Sequence, residues 1–121
     1  MKLLLDSAFP RGAIDRGHSG VALERWDGGE QSDSELLVTA RTNGYDGVVF
    51  LGHSALARSP ILESVKTEPV IAVITYSDVP TQATRHLEAA LKTLKQSARP
   101  HEIWLVLAVG ARKVQVQSKA N

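Results

Sequence analysis

Three short runs of uninterrupted apolar residues narrow what this chain can fold into: Val48-Val49-Phe50-Leu51, Val70-Ile71-Ala72-Val73-Ile74-Thr75, and residues 103–109. Each is too short for a buried helix, and each suits a strand covered on both faces. Between the second and third runs the spacing is helical. Ala83, Leu87, Ala90, Leu91 and Leu94 share one stripe of residues 81–98, while Arg85, Glu88, Lys92 and Lys95 face outward. Strands that alternate with helices pair in parallel through right-handed crossovers. The expected class is α/β with a mainly parallel sheet.

The remaining segments fit that alternation. Residues 2–5 read as a first strand that delivers Asp6 to the carboxyl end of the sheet. The stretch Asp6-Ser7-Ala8-Phe9-Pro10 reads as strand end, turn and helix start, with Gly17 ending a helix of barely two turns. Residues 20–24 are the second strand, and Gly28-Gly29 marks a loop. Ser32 opens a helix through Arg41 that Asn43-Gly44 stops. The third strand is 47–51. Residues 54–66 hold one or two short helices, with Ser59-Pro60 as the internal boundary. Ser77 or Asp78 caps the long helix, Pro80 suits its first turn and Arg99-Pro100 ends it. A hairpin closes the chain: 101–109 and 113–117, turning through Gly110-Ala111-Arg112.

A length of 121 residues fits one domain, 1–121. There is no cysteine, which excludes disulfides, thiolate chemistry and iron–sulfur clusters and suits a cytoplasmic setting. No run approaches the roughly 18 apolar residues of a membrane helix, so no membrane partner is expected. The net charge of +1 gives no general pull on nucleic acid, so RNA would need a local patch. Arg11, Arg16, Arg58, Arg112 and Lys113 supply scattered charge for one. Two Phe, two Tyr and two Trp leave little material for stacking bases.

Candidate chemistry gathers at the carboxyl edge of the sheet, where ligands of such folds bind. Asp6 comes directly after the first strand, and Asp33 and Glu35 fall in the first turn of the next helix. Carboxylates that meet there repel one another unless they share a cation or accept hydrogen bonds, and hard oxygen ligands favour Mg²⁺ or Mn²⁺. A bound ion of that kind activates water for phosphodiester displacement. Each acid also has a structural reading. Ser32-Asp33-Ser34-Glu35 fits a capping box, Asp33 complements a helix dipole, and Asp6 caps the short helix after it. His53, just past the third strand, is placed to ligate a metal, donate to phosphate or act as a general base, or to sit in a loop. Ser54 beside it reads as a helix cap. His18 reads as structural, and His86 and His101 as surface residues. There is no nucleophile elbow, dinucleotide fingerprint or Walker motif.

In order along the chain, these pieces resemble the small PIN-like toxins of toxin–antitoxin modules, relatives of the VapC ribonucleases. Their opening is a hydrophobic strand, Asp-Glu-Asn-Leu-Pro, a helix and Gly-His. Here it stands as Leu3-Leu4-Leu5-Asp6-Ser7-Ala8-Phe9-Pro10, with Gly17-His18 next. Their second block, Ser/Ala-Asp-x-Glu-Ile/Leu, is matched by Ser32-Asp33-Ser34-Glu35-Leu36, with Ala40 and Asn43-Gly44 also in place. The resemblance spans nearly the whole chain. It implies a PIN-like three-layer sandwich and a divalent-metal-dependent endoribonuclease, with Asp6 and Asp33 as metal ligands and Glu35 and His53 assisting. It also implies a cognate antitoxin protein and a homodimer. After strand three, however, the family reads Val-Leu-Val-Thr-x-Asp-x-Asp-Phe. Here Leu51 stands for the threonine and His53 and Ala55 for the two aspartates, and Ser7 replaces the glutamate of the opening. Lost carboxylates weaken the hold on a hard cation, and imidazole suits Mn²⁺ or Zn²⁺ better than Mg²⁺. That leaves an active variant nuclease, a PIN-like module that binds RNA or a partner protein without cutting, or an unrelated flavodoxin-like or receiver-like domain.

Overall fold

The computed structural model describes residues 1–10, 20–52, 54 and 59–114. Its elements are β1 (Lys2–Leu5), β2 (Ala22–Arg25), α1 (Asp33–Thr42), β3 (Gly47–Phe50), α2 (Ser59–Thr67), β4 (Ile71–Thr75), α3 (Pro80–Ser97), β5 (Ile103–Leu107) and β6 (Gly110–Val114). They build one six-stranded sheet in the order β2-β1-β3-β4-β5-β6. The first five strands run parallel and β6 returns antiparallel beside β5. The expected α/β class and its terminal hairpin are therefore present. Strand order 2-1-3-4-5 is the doubly wound order of flavodoxin-like sheets.

Alternate residues of each strand face opposite layers. Leu3, Leu5, Val49, Val73, Trp104 and Val106 pack against the buried stripe of α3. Leu4, Val48, Phe50, Ile74 and Leu105 pack under α1 and α2. Every member of the apolar stripe expected for 81–98 is buried. Residues 103–106 of the third apolar run are core.

One connection differs in hand from the other two. The steps β2 to β3, β3 to β4 and β4 to β5 all go the same way across the sheet. Helices α1 and α2 cover one face and α3 the other. The β4–α3–β5 connection therefore has the opposite hand to the other two, although about 98% of such connections are right-handed. Burial explains the exception. Among the described residues, no other helix covers the Leu3, Leu5, Val49 and Val73 face. Eighteen residues of α3 span about 27 Å, enough to cross a sheet whose strands lie about 4.8 Å apart. Hiding that apolar face outweighs the local twist preference.

Three local expectations shift. The hairpin turns two residues early, at Ala108-Val109, because Leu107 pairs with Gly110 and places Gly110 to Arg112 in the strand. Val79, not Ser77 or Asp78, occupies the cap position of α3 and makes no side-chain bond there. Ser77 Oγ accepts instead from the Val79 amide at 3.1 Å. His86 is half-buried, whereas His101 is exposed and its Nδ1 lies 2.9 Å from the Val65 carbonyl. The turns expected around Gly17-His18 and the residues His53 and Ala55 fall outside the described residues, as does the hairpin beyond Val114.

At the amino-terminal edge, the Tyr45 hydroxyl donates to Glu24, and Lys2 Nζ stands 4.4 Å from the Tyr45 ring centre. Burial first, and the Glu24 carboxylate second, push the Tyr45 phenol up to about 12 from its ordinary 10.0. A raised pKa means that the folded state keeps its proton to higher pH than the unfolded chain. The interaction thus contributes fully below about pH 10 and is lost as pH rises towards 12. Ultraviolet titration of phenolate is expected to show a step near pH 12 that Tyr45→Phe removes, with stability of the wild type falling through the same window. A step that survives in Tyr45→Phe would assign it elsewhere.

Candidate functional site

The site starts from the way β1 ends. Three consecutive leucines bury the strand between both layers, and the next residue, Asp6, is the first that water reaches. Its amide donates to the Val49 carbonyl at 3.0 Å. Its carboxylate then accepts twice: Oδ1 from the Ala8 amide at 2.9 Å and Oδ2 from the Leu51 amide at 3.2 Å. The first bond closes an Asx turn; the second ties the end of β1 to the end of β3. Those two strands are where the sheet's connections diverge, β1 joining outward to β2 and β3 to β4. Such a switch point is the usual ligand crevice of open α/β sheets. Asp6 bridges it.

Arg25, at the end of β2, holds the turn from the other side. Its Nε donates to the Phe9 carbonyl at 2.6 Å and its Nη2 to the Ser7 carbonyl at 2.8 Å, while Nη1 pairs with Asp27. Phe9 itself is fully buried against the α3 layer. The Asp6–Phe9 turn is thus fixed by an anchor in the core and a guanidinium fork.

Asp33 and Glu35 enter with α1. Trp26 Nε1 donates to the Gly29 carbonyl at 2.7 Å, and a Cβ on Gly28 would meet the Trp26 ring at 2.3 Å. The glycine pair therefore lets the loop fold over the indole and bring Ser32 to the edge. Ser32 and Glu35 form the capping box that the sequence spells. Glu35 Oε1 accepts from the Ser32 amide at 3.0 Å, and Ser32 Oγ accepts from the Glu35 amide at 3.2 Å. The Ser32 amide holds the Glu35 carboxyl below its usual range. Asp33 is half-buried at the first helical position, where the helix dipole favours a negative charge. A cleft of about 490 Å³ joins the two pieces, lined by Ser7 from the Asp6 turn and by Glu30, Ser32 and Glu35 from the start of α1. Among the described residues, its charged lining groups are both carboxylates, a lining that disfavours a bare phosphate and favours a cation.

Beyond β3, the buried Thr75 hydroxyl couples two loops. Its oxygen accepts from the Gly52 amide at 3.1 Å and lies 3.1 Å from the Ser77 carbonyl. Comparison with known protein families, curated proteins and solved structures finds no match. Among the described residues, no three of His, Asp and Glu are grouped to hold a metal ion. Asp6 and Glu35 each accept backbone amides. Sequence reasoning missed Arg25 and Thr75. Arg25 carries one visible signal, a lone cation ending a strand beside the loop; Thr75 reads as one more strand residue.

Proposed function

We propose that this chain is a PIN-like module of the toxin–antitoxin type that binds a partner without cutting RNA. The observation that carries this is the Asp6 carboxylate, which holds the Ala8 and Leu51 amides. A group engaged in building the turn is a structural acid. The Glu35 carboxylate is likewise engaged with Ser32. Leu51 and Ala55 stand where relatives carry a threonine and an aspartate. What the edge offers a partner is the cleft with Glu30 and Glu35, whose charge fits a basic peptide segment, such as an antitoxin would present, better than a phosphate backbone.

The switch-point position of Asp6 favours a second reading, a Mg²⁺- or Mn²⁺-dependent endoribonuclease with Asp6 and Asp33 as ligands and His53 assisting. One assay separates the two. Purified protein is incubated with labelled single-stranded RNA in Mg²⁺ or Mn²⁺, with and without chelator, beside Asp6→Asn. The first reading expects intact RNA throughout, together with salt-sensitive binding of a Lys/Arg-rich peptide that Glu30→Gln with Glu35→Gln weakens at least fivefold. Glutamine keeps the capping box, so the double variant removes charge and not the helix start. Cleavage that chelator and Asp6→Asn both abolish would replace the first reading with the second.

A further inference from the structure

A second cleft, of about 420 Å³, opens at the carboxyl ends of β4 and β5, away from the acidic one. Its volume falls in the range of small-ligand sites, roughly 300–1,000 Å³. Its floor and sides are mixed. Tyr76 lies 52% exposed on one side, and Val109, at the hairpin tip, is 95% exposed on another. Asp78, Gln82 and His86 supply polar groups. Gln82 Oε1 accepts from the Ser77 hydroxyl at 3.0 Å, and its amide nitrogen is a donor. His86 Nδ1 is enclosed and has no hydrogen-bond partner. A buried polar atom left unpaired is costly, so His86, which lines the cleft, has hydrogen-bonding capacity left to fill.

Those features select a ligand chemistry. A half-exposed tyrosine and apolar flanks favour a flat ring. Asp78 accepts hydrogen bonds and is the only formal charge among the described lining side chains, so an anionic ligand is disfavoured and an amino group favoured. Gln82 adds a donor, and His86 offers a donor or an acceptor according to tautomer. We infer that the Tyr76 cleft binds an amino-bearing heteroaromatic ring of the nucleobase class, stacked on Tyr76 with its amino edge at Asp78. Such a ring comes from a free nucleoside or from an unpaired base of single-stranded RNA, whose bases are commonly held by stacking plus contacts to their edges. The inference does not depend on the partner-binding reading of the acidic cleft.

The test is a ¹H–¹⁵N NMR titration of the full chain with adenosine, cytidine, uridine, inorganic phosphate and a short unstructured RNA. Saturable shifts confined to residues 76–86 and 107–109, and to the His86 ring, are expected with adenosine and cytidine, more weakly with uridine, and not with phosphate. Shifts at the cleft with RNA but with no nucleoside would also support the site and assign its source to a strand. Tyr76→Ala is expected to weaken binding at least fivefold and Tyr76→Phe to retain it, since the ring and not the hydroxyl is used. If Tyr76→Ala does not fold, the wild-type map and Tyr76→Phe still decide. Phosphate shifting the same residues, RNA binding unchanged by Tyr76→Ala, or no saturable shift with any probe would each overturn the inference. None of these outcomes bears on the peptide-binding assay of the acidic cleft, so the two proposals fail separately.

Discussion

Gly47→Val is expected to cost about 3 kcal/mol or more and to lower the melting temperature by roughly 10 °C. Gly47 opens β3, the strand that carries the chain from the amino edge to the Asp6–Leu51 contact. It pairs with Leu3 on one side and Ile71 on the other. A Cβ built there would stand 2.4 Å from the Ile71 carbonyl oxygen and 3.0 Å from Ile71 Cβ. No rotamer relieves a clash with backbone. Either β4 moves away, breaking the Ile71 amide's bond to the Asp46 carbonyl at 2.9 Å, or the β3 ladder opens. Gly47→Ala meets the same oxygen with the same atom, so it is expected to lose most of that stability as well. Valine would normally favour a strand, which makes the sign of the effect diagnostic. Chemical denaturation measures it; a loss below about 1 kcal/mol for the valine variant would mean that β3 and β4 do not approach as described.

The elements whose pattern is local were legible in the sequence. The α3 stripe, the capping box at Ser32 and the apolar strands come from period and from cap chemistry, which neighbours in sequence decide. What sequence did not show depends on residues far apart. The side chosen by α3 reflects the need to cover Leu3, Leu5, Val49 and Val73, residues drawn from three strands, and the usual handedness yields to it. The hairpin register reflects pairing of Leu107 with Gly110 across a two-residue turn, while Gly110-Ala111-Arg112 read as the turn from local residue types alone. The candidate site divides in the same way. That Asp6 ends a buried strand could be read directly. That its second oxygen reaches the Leu51 amide, 45 residues on, could not, because it needs β1 and β3 side by side.

Arg25→Met is expected to destabilise the fold by about 3 kcal/mol and to disorganise the Asp6 turn without touching Asp6. The side chain is only 21% exposed, so screening by water is modest. Two carbonyls, of Ser7 and Phe9, take their hydrogen bonds from the guanidinium, and a bond to a charged donor contributes about 1.5–3 kcal/mol. Methionine keeps the apolar stem and removes both donors, leaving the two oxygens to find water at a partly covered site. Arg25→Lys keeps the charge but not the fork. One ammonium on a flexible stem serves one carbonyl well and the other poorly, so a partial recovery is expected. The local consequence is readable in the amide signals of Ala8 and Leu51, which report the two bonds to the Asp6 carboxylate. Both are expected to shift in Arg25→Met, more than amides of α3 do. Were the two signals to stay in place while stability fell, Arg25 would be acting through Asp27 and the β2 end alone. The outcome matters for either functional reading. A binding edge and a metal-dependent edge both need the chain after β1 held against the end of β3. In this fold Phe9 anchors that chain from below, and Arg25 grips it from the side.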